Sequence, residues 1–76
     1  MTFDKVKNII ADTINCDPKD IREDSDLKSE FGIDSLDAME LCMAIEEAFS
    51  IEIEEDAAAG FVTVRNIVEY IEKRVA

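Results

Sequence analysis

Gly32-Ile33-Asp34-Ser35-Leu36-Asp37-Ala38-Met39-Glu40-Leu41 opens the stretch whose periodicity decides the fold. Continued to Phe49, it gathers Leu36, Met39, Cys42, Met43, Ala44, Ile45 and Phe49 into a broad apolar surface interrupted mainly by acids. That pattern predicts a helix over 35–49, largely buried along one side. Gly32 supplies a bend just ahead of it.

Upstream, residues 17–34 lose the helical period, although Ile21, Leu27, Phe31 and Ile33 recur as anchors into a core. This reads as a long loop, and a loop of that length in so small a domain is more often functional than decorative. Before it, Phe3, Val6, Ile10 and Ile14 fall on one face at steps of three and four, predicting an amphipathic helix over 3–14. Thr2 is the expected N-cap, with Asp4 favourable in the first turn. The helix is expected to stop near Asn15 or Cys16, because Asp17-Pro18 is a turn signal.

Downstream, Ile51-Glu52-Ile53 alternates but has no nearby pairing partner, so it reads as an extended connector. A short helix over 55–59 is expected to end at Gly60. Thr63 then caps a last helix carrying Val64, Ile67, Val68, Ile71 and Val75 at helical spacing, with Lys73 and Arg74 suited to its C-terminus. The fold expected is all-α: a small up-and-down bundle of three longer helices and one short one, with a long loop between the first two.

The 76 residues, 47% of them apolar, suffice for one small core, so a single domain over 1–76 is expected. No stretch approaches the roughly 20 apolar residues of a membrane span, and no signal-peptide apolar region follows the N-terminus. A soluble cytoplasmic protein is the expectation. Cys16 and Cys42 lie in no metal or redox motif and are most simply structural thiols. With 19 acidic and 8 basic residues, a net charge of −11 disfavours nucleic acid, keeps the chain monomeric and favours basic partners.

There is no His, no glycine-rich phosphate loop and no metal-ligand cluster, so no metal is expected and a self-contained enzyme is disfavoured. Asp24-Ser25-Asp26 begins like a calcium loop. It fails because Ser29 stands where Gly is required and Ser35 where a bidentate Glu is needed. Ser35, in contrast, falls at a helix start, where free amides and the helix dipole favour a phosphate. A serine there also serves as a plain N-cap, and position alone does not separate the two readings.

Charge distribution adds a second signal. Between Ser29 and Thr63 lie Glu30, Asp34, Asp37, Glu40, Glu46, Glu47, Glu52, Glu54, Glu55 and Asp56, with no Lys or Arg. Asp34, Asp37, Glu40 and Glu47 recur at steps of three and seven along one helix. Such like-charge neighbours destabilise an isolated helix, whereas a docking surface for basic partners gives them a purpose. An ordinary solvated face is the alternative.

Gly32, Asp34-Ser35-Leu36-Asp37, the acids Glu40, Glu46 and Glu47, the Glu-Ile-Glu connector and Tyr70-Ile71 together resemble the acyl carrier proteins, over essentially the whole chain. The resemblance implies that Ser35 carries a 4'-phosphopantetheine arm whose thiol holds acyl groups as thioesters, and that the protein itself catalyses nothing. It implies that Asp34, Leu36, Asp37, Met39, Glu40 and Glu47 meet the phosphopantetheinyl transferase and acyl-processing enzymes through their basic patches. It further implies an acyl-chain cleft lined by Met39, Cys42, Met43, Ile45, Ile53, Phe61 and Ile67, though each of these also suits plain core packing.

Three departures blur the pathway. Ile33 replaces a small residue, Glu54 stands where Pro is common, and Ala57-Ala58-Ala59-Gly60-Phe61 differs from the usual charged third helix. Type II fatty acid biosynthesis is the first expectation, with polyketide or D-alanyl carriers as alternatives. From another class, an acidic helical interaction module without a prosthetic group also fits the charge and the bundle.

Overall fold

Three helical stripes converge on one core. The computed structural model describes residues 2–75 and contains α1 (Thr2–Ile14), a 3-10 turn (Pro18–Asp20), α2 (Ser35–Phe49), α3 (Glu55–Ala59) and α4 (Val64–Val75). Val6, Ile10 and Ala11 from α1 meet Leu41 and Ile45 from α2 and Val64, Ile67, Val68 and Ile71 from α4 in a single buried cluster. α1 packs against both α2 and α4. The expected all-α architecture of three long helices and one short one, with a long loop after the first, is therefore present.

The ends of the helices follow from their capping chemistry. α1 stops where Asn15 turns left-handed at φ 59°, and the Cys16 N–H reaches back to the Ala11 carbonyl at 3.0 Å. Ser50 does the same for α2 at φ 54°, with the Ile51 N–H on the Glu46 carbonyl. Both are the six-to-one bond of a left-handed helix stop, achieved without glycine. Thr63 caps α4 as expected: its hydroxyl accepts the Asn66 N–H, while the Asn66 side chain accepts the Val62 and Thr63 amides at 2.9 Å each. This reciprocal arrangement satisfies several otherwise orphaned donors.

Thr2 is the first described residue of α1 rather than its cap, and the position that would cap it, Met1, lies outside the described residues. Gly60 does end α3, but at φ −90°, ψ 0°, a conformation open to other residues. Val75 completes the α4 stripe in sequence yet is exposed, because the helix has run past the core by that point.

The segment from 17 to 34 is better ordered than its sequence pattern indicates. Ile21, Leu27 and Ile33 are buried and Phe31 packs against the cluster, as expected of anchors. Beyond that, Leu27 N–H donates to the Val62 carbonyl at 2.9 Å, Val64 N–H to Ser25 O at 3.2 Å, and Arg65 N–H to Glu23 O at 2.8 Å. These bonds fasten the loop to the start of α4. Ser25 is fully buried, and its hydroxyl accepts the Arg22 N–H at 2.9 Å, so a polar side chain inside the core is satisfied.

Candidate functional site

Helix α2 begins with a division of labour between adjacent residues. Asp34, in extended conformation, accepts the Asp37 N–H on its carboxylate at 2.9 Å, and its carbonyl takes the Ala38 N–H. Asp34 is therefore the N-cap, and Ser35 is the first helical residue. Among the described residues no hydrogen bond engages the Ser35 hydroxyl or the Ser35 and Leu36 amides. Gly32, at φ 63°, turns the chain into this cap, a conformation that costs glycine little.

Ser35 is exposed and stands at the mouth of a cavity of about 210 Å³. The lining comprises Ala38, Leu41, Cys42 and Ile45 of α2, Ala58 and Ala59 of α3, Ile67 of α4, and Phe61, Leu27, Lys28, Ile33 and Asp34 from the connecting segments. Of the residues expected in an acyl cleft, Cys42, Ile45, Phe61 and Ile67 are brought together here. Met39, Met43 and Ile53 line an adjoining groove, which shares Ser35, Ala38, Cys42, Ala58 and Ala59 with the cavity.

The expectation that α2 is largely buried along one side holds for only part of its apolar surface. Leu36, Met39 and Met43 are 64%, 63% and 63% exposed, and only Leu41 and Ile45 of this helix are buried. The cause is stoichiometric. α1 and the core cover one narrow stripe, while α3 and the connector before it face Met39 and Met43 only across an open groove. Ala38, Leu41, Ala58 and Ala59, together with Leu27, Lys28 and Ile33 of the preceding loop, line the cavity without being expected there. The run Ser35, Ala38, Leu41 or Cys42, Ile45 at steps of three and four would have revealed two of them.

The acids sort into two kinds. Asp34, Glu40 and Glu47 are exposed and Asp37 half-buried, and among the described residues no ion pair reaches any of the four. Glu46 works internally: its carboxylate accepts the Ile53 N–H at 2.8 Å and holds the connector after α2 against that helix. Tyr70 holds the same connector from α4, donating to the Glu52 carbonyl and accepting the Glu54 N–H. The Cys42 thiol has its pKa pushed up by burial first and by the Glu46 charge second, so it stays protonated at neutral pH.

The family model of the phosphopantetheine attachment site matches residues 4–71 of the chain. The chain belongs to that family. Phosphopantetheine-attachment domains bear 4'-phosphopantetheine covalently on a serine, carry acyl groups and interact with processing enzymes. The residues here fit such a group: an exposed, unengaged serine hydroxyl, open amides in the first helical turn for a phosphate, and an apolar cavity beside it. Among the described residues no helix is long and apolar enough to cross a membrane.

Proposed function

We propose that this phosphopantetheine-attachment domain is an acyl carrier protein of type II fatty acid biosynthesis, with Ser35 as the attachment residue. The observation that carries the assignment is that Asp34 caps α2, which frees the Ser35 hydroxyl at the mouth of the apolar cavity. When attached, the arm supplies a terminal thiol on which acyl groups are held as thioesters. The chain's own residues do the rest. Cys42, Ile45, Phe61 and Ile67 offer an apolar surface for the first methylenes of a cargo, each worth roughly 0.8 kcal/mol when removed from water.

The protein acts as a carrier and not as an enzyme, and it works as a cytoplasmic monomer. Asp34, Asp37, Glu40 and Glu47 steer basic patches of the transferase and acyl-processing enzymes toward Ser35, and the exposed Leu36 and Met39 add apolar contact once they arrive. Unpaired acids around exposed apolar side chains support this reading over a merely solvated face, since solvation alone gives no reason for Leu36 and Met39 to be uncovered.

The test is to incubate the apo protein with coenzyme A, magnesium and a broad-specificity phosphopantetheinyl transferase, and to measure intact mass for wild type and Ser35→Ala. Gain of one phosphopantetheine by wild type only is the expected result. No gain by either, with the transferase active on a control carrier, would falsify the assignment of Ser35 and favour the interaction module.

A further inference from the structure

Among the described residues Lys28 is the one basic residue lining the cavity at whose mouth Ser35 stands. Its main chain is held on both sides: the Lys28 N–H donates to the Asp26 carboxylate at 2.9 Å, and its carbonyl accepts the Gly32 N–H at 2.9 Å. The Ile33 N–H closes the same turn onto the Leu27 carbonyl at 3.1 Å. The root of the lysine and the approach to Ser35 are thus parts of one closed turn.

The surrounding charge makes this cation matter. No Lys or Arg follows Lys28 until Arg65, and Asp34 and Asp37 flank Ser35 on the helix. Of the other two cations of the loop, Lys19 and Arg22, neither lines the cavity, and Arg22 is occupied with Asp24 at 3.3 Å and Glu30 at 3.5 Å. Among the described residues Lys28 makes no ion pair within 4.0 Å, its charge acting only weakly on the Asp26 carboxyl. A phosphodiester formed on Ser35 adds a negative charge among carboxylates, so the favourable direction for it is toward Lys28.

We propose that the Lys28 ammonium pairs with the phosphodiester on Ser35 and turns the arm across the cavity mouth, toward α3 rather than out into solvent. The inference rests on Ser35 being the attachment residue. A free anion would gain little from one exposed lysine. A covalently attached one pays no association cost, so a weak pair suffices to bias its direction. Lys28 is accordingly a positioning residue, and Lys28→Arg is expected to preserve its effect because the charge is kept.

The experiment uses protein whose loading is verified by intact mass. In lysine-labelled protein, loading is expected to shift the Lys28 side-chain NMR signal while those of Lys5, Lys19 and Lys73 stay in place. Molar salt is expected to reverse most of that shift. In loaded Lys28→Gln, the phosphorus signal moves, and the amide signals of Ala38, Cys42 and Ala59 lose most of their loading-induced change. Lys28→Arg keeps it. Loaded protein in which Lys28 responds no more than Lys19, or in which Lys28→Gln leaves those amides unchanged, overturns the pairing alone. Protein that takes up no arm at Ser35 overturns the attachment reading and the pairing with it.

Discussion

The Asp34 carboxylate accepts the Asp37 N–H at 2.9 Å, and this single bond decides what Ser35 is free to do. Because the cap is Asp34, Asp34→Ala is expected to lower stability by about 1 kcal/mol, and Asp34→Asn by less. Ser35→Ala should change stability by no more than about 0.5 kcal/mol. Urea denaturation of the three apo variants checks this. A loss for Ser35→Ala as large as that for Asp34→Ala would make Ser35 a structural cap.

Glu46 holds Ile53 through its side chain, and the bond involves a charged acceptor that is partly shielded from water. Glu46→Ala is expected to cost about 1–2 kcal/mol, with Glu46→Gln recovering part because an amide oxygen still accepts. Hydrogen exchange at the Ile53 amide should quicken in Glu46→Ala more than at core amides of α4.

Acidification has a definite sign at Asp26. Its carboxyl is held below the usual range, first by the Ser29 N–H, then by the Ser29 hydroxyl and, to a smaller extent, by the Lys28 N–H and charge. A depressed carboxylate contributes stability above its unfolded pKa of about 3.9 and loses it as pH falls through the lower folded value. The melting temperature of wild type should therefore exceed that of Asp26→Ala by a constant margin from pH 5.5 to 7.5. Below about pH 4 that margin should shrink. Taking the difference between the two proteins removes the opposing effect of relieved self-repulsion among the other acids.

Cys42 and Cys16 both have raised thiol pKa values, Cys42 through burial and then Glu46, Cys16 through burial and then Asp20 and Asp17. Since the thiolate is the reactive form, alkylation of the folded protein at pH 8 should be several-fold slower than that of an unstructured cysteine, and should rise up to a higher pH. Cys42 lines the cavity, whereas Cys16 does not. Attachment of a medium-length acyl group should slow modification of Cys42 further and leave Cys16 unaffected, as peptide mapping after timed alkylation would show.

Glu40 is exposed and free of ion pairs among the described residues, so its charge is available to a partner and gives the fold little. Glu40→Lys is expected to leave the helix content unchanged while slowing transferase loading at low salt by up to about tenfold. The deficit should narrow as salt is added. Equal loading rates for the two proteins at low ionic strength would remove Glu40 from the docking face.

What was legible beforehand follows from interactions that are local along the chain. Helical period placed 35–49 to the residue, because a stripe at steps of three and four has one compact solution, and Thr63 marked the start of the last helix. The Asp-Ser-Leu-Asp segment at a helix start marked Ser35, and its surroundings of acids marked the face around it. By itself the amino-acid order determined the element types, the family resemblance and the residue to test first. Tertiary structure alone decided which apolar residues are covered. Leu36, Met39 and Met43 share α2 with Leu41 and Ile45 yet lie exposed, since burial depends on a second element arriving at the same face. It also decided that the loop from 17 to 34 is fastened through Ser25, Leu27 and Glu23 to the start of α4, and that Lys28 comes to line the cavity beside Ser35. Those relationships join residues far apart in the chain or displaced by a turn, and no local periodicity encodes them.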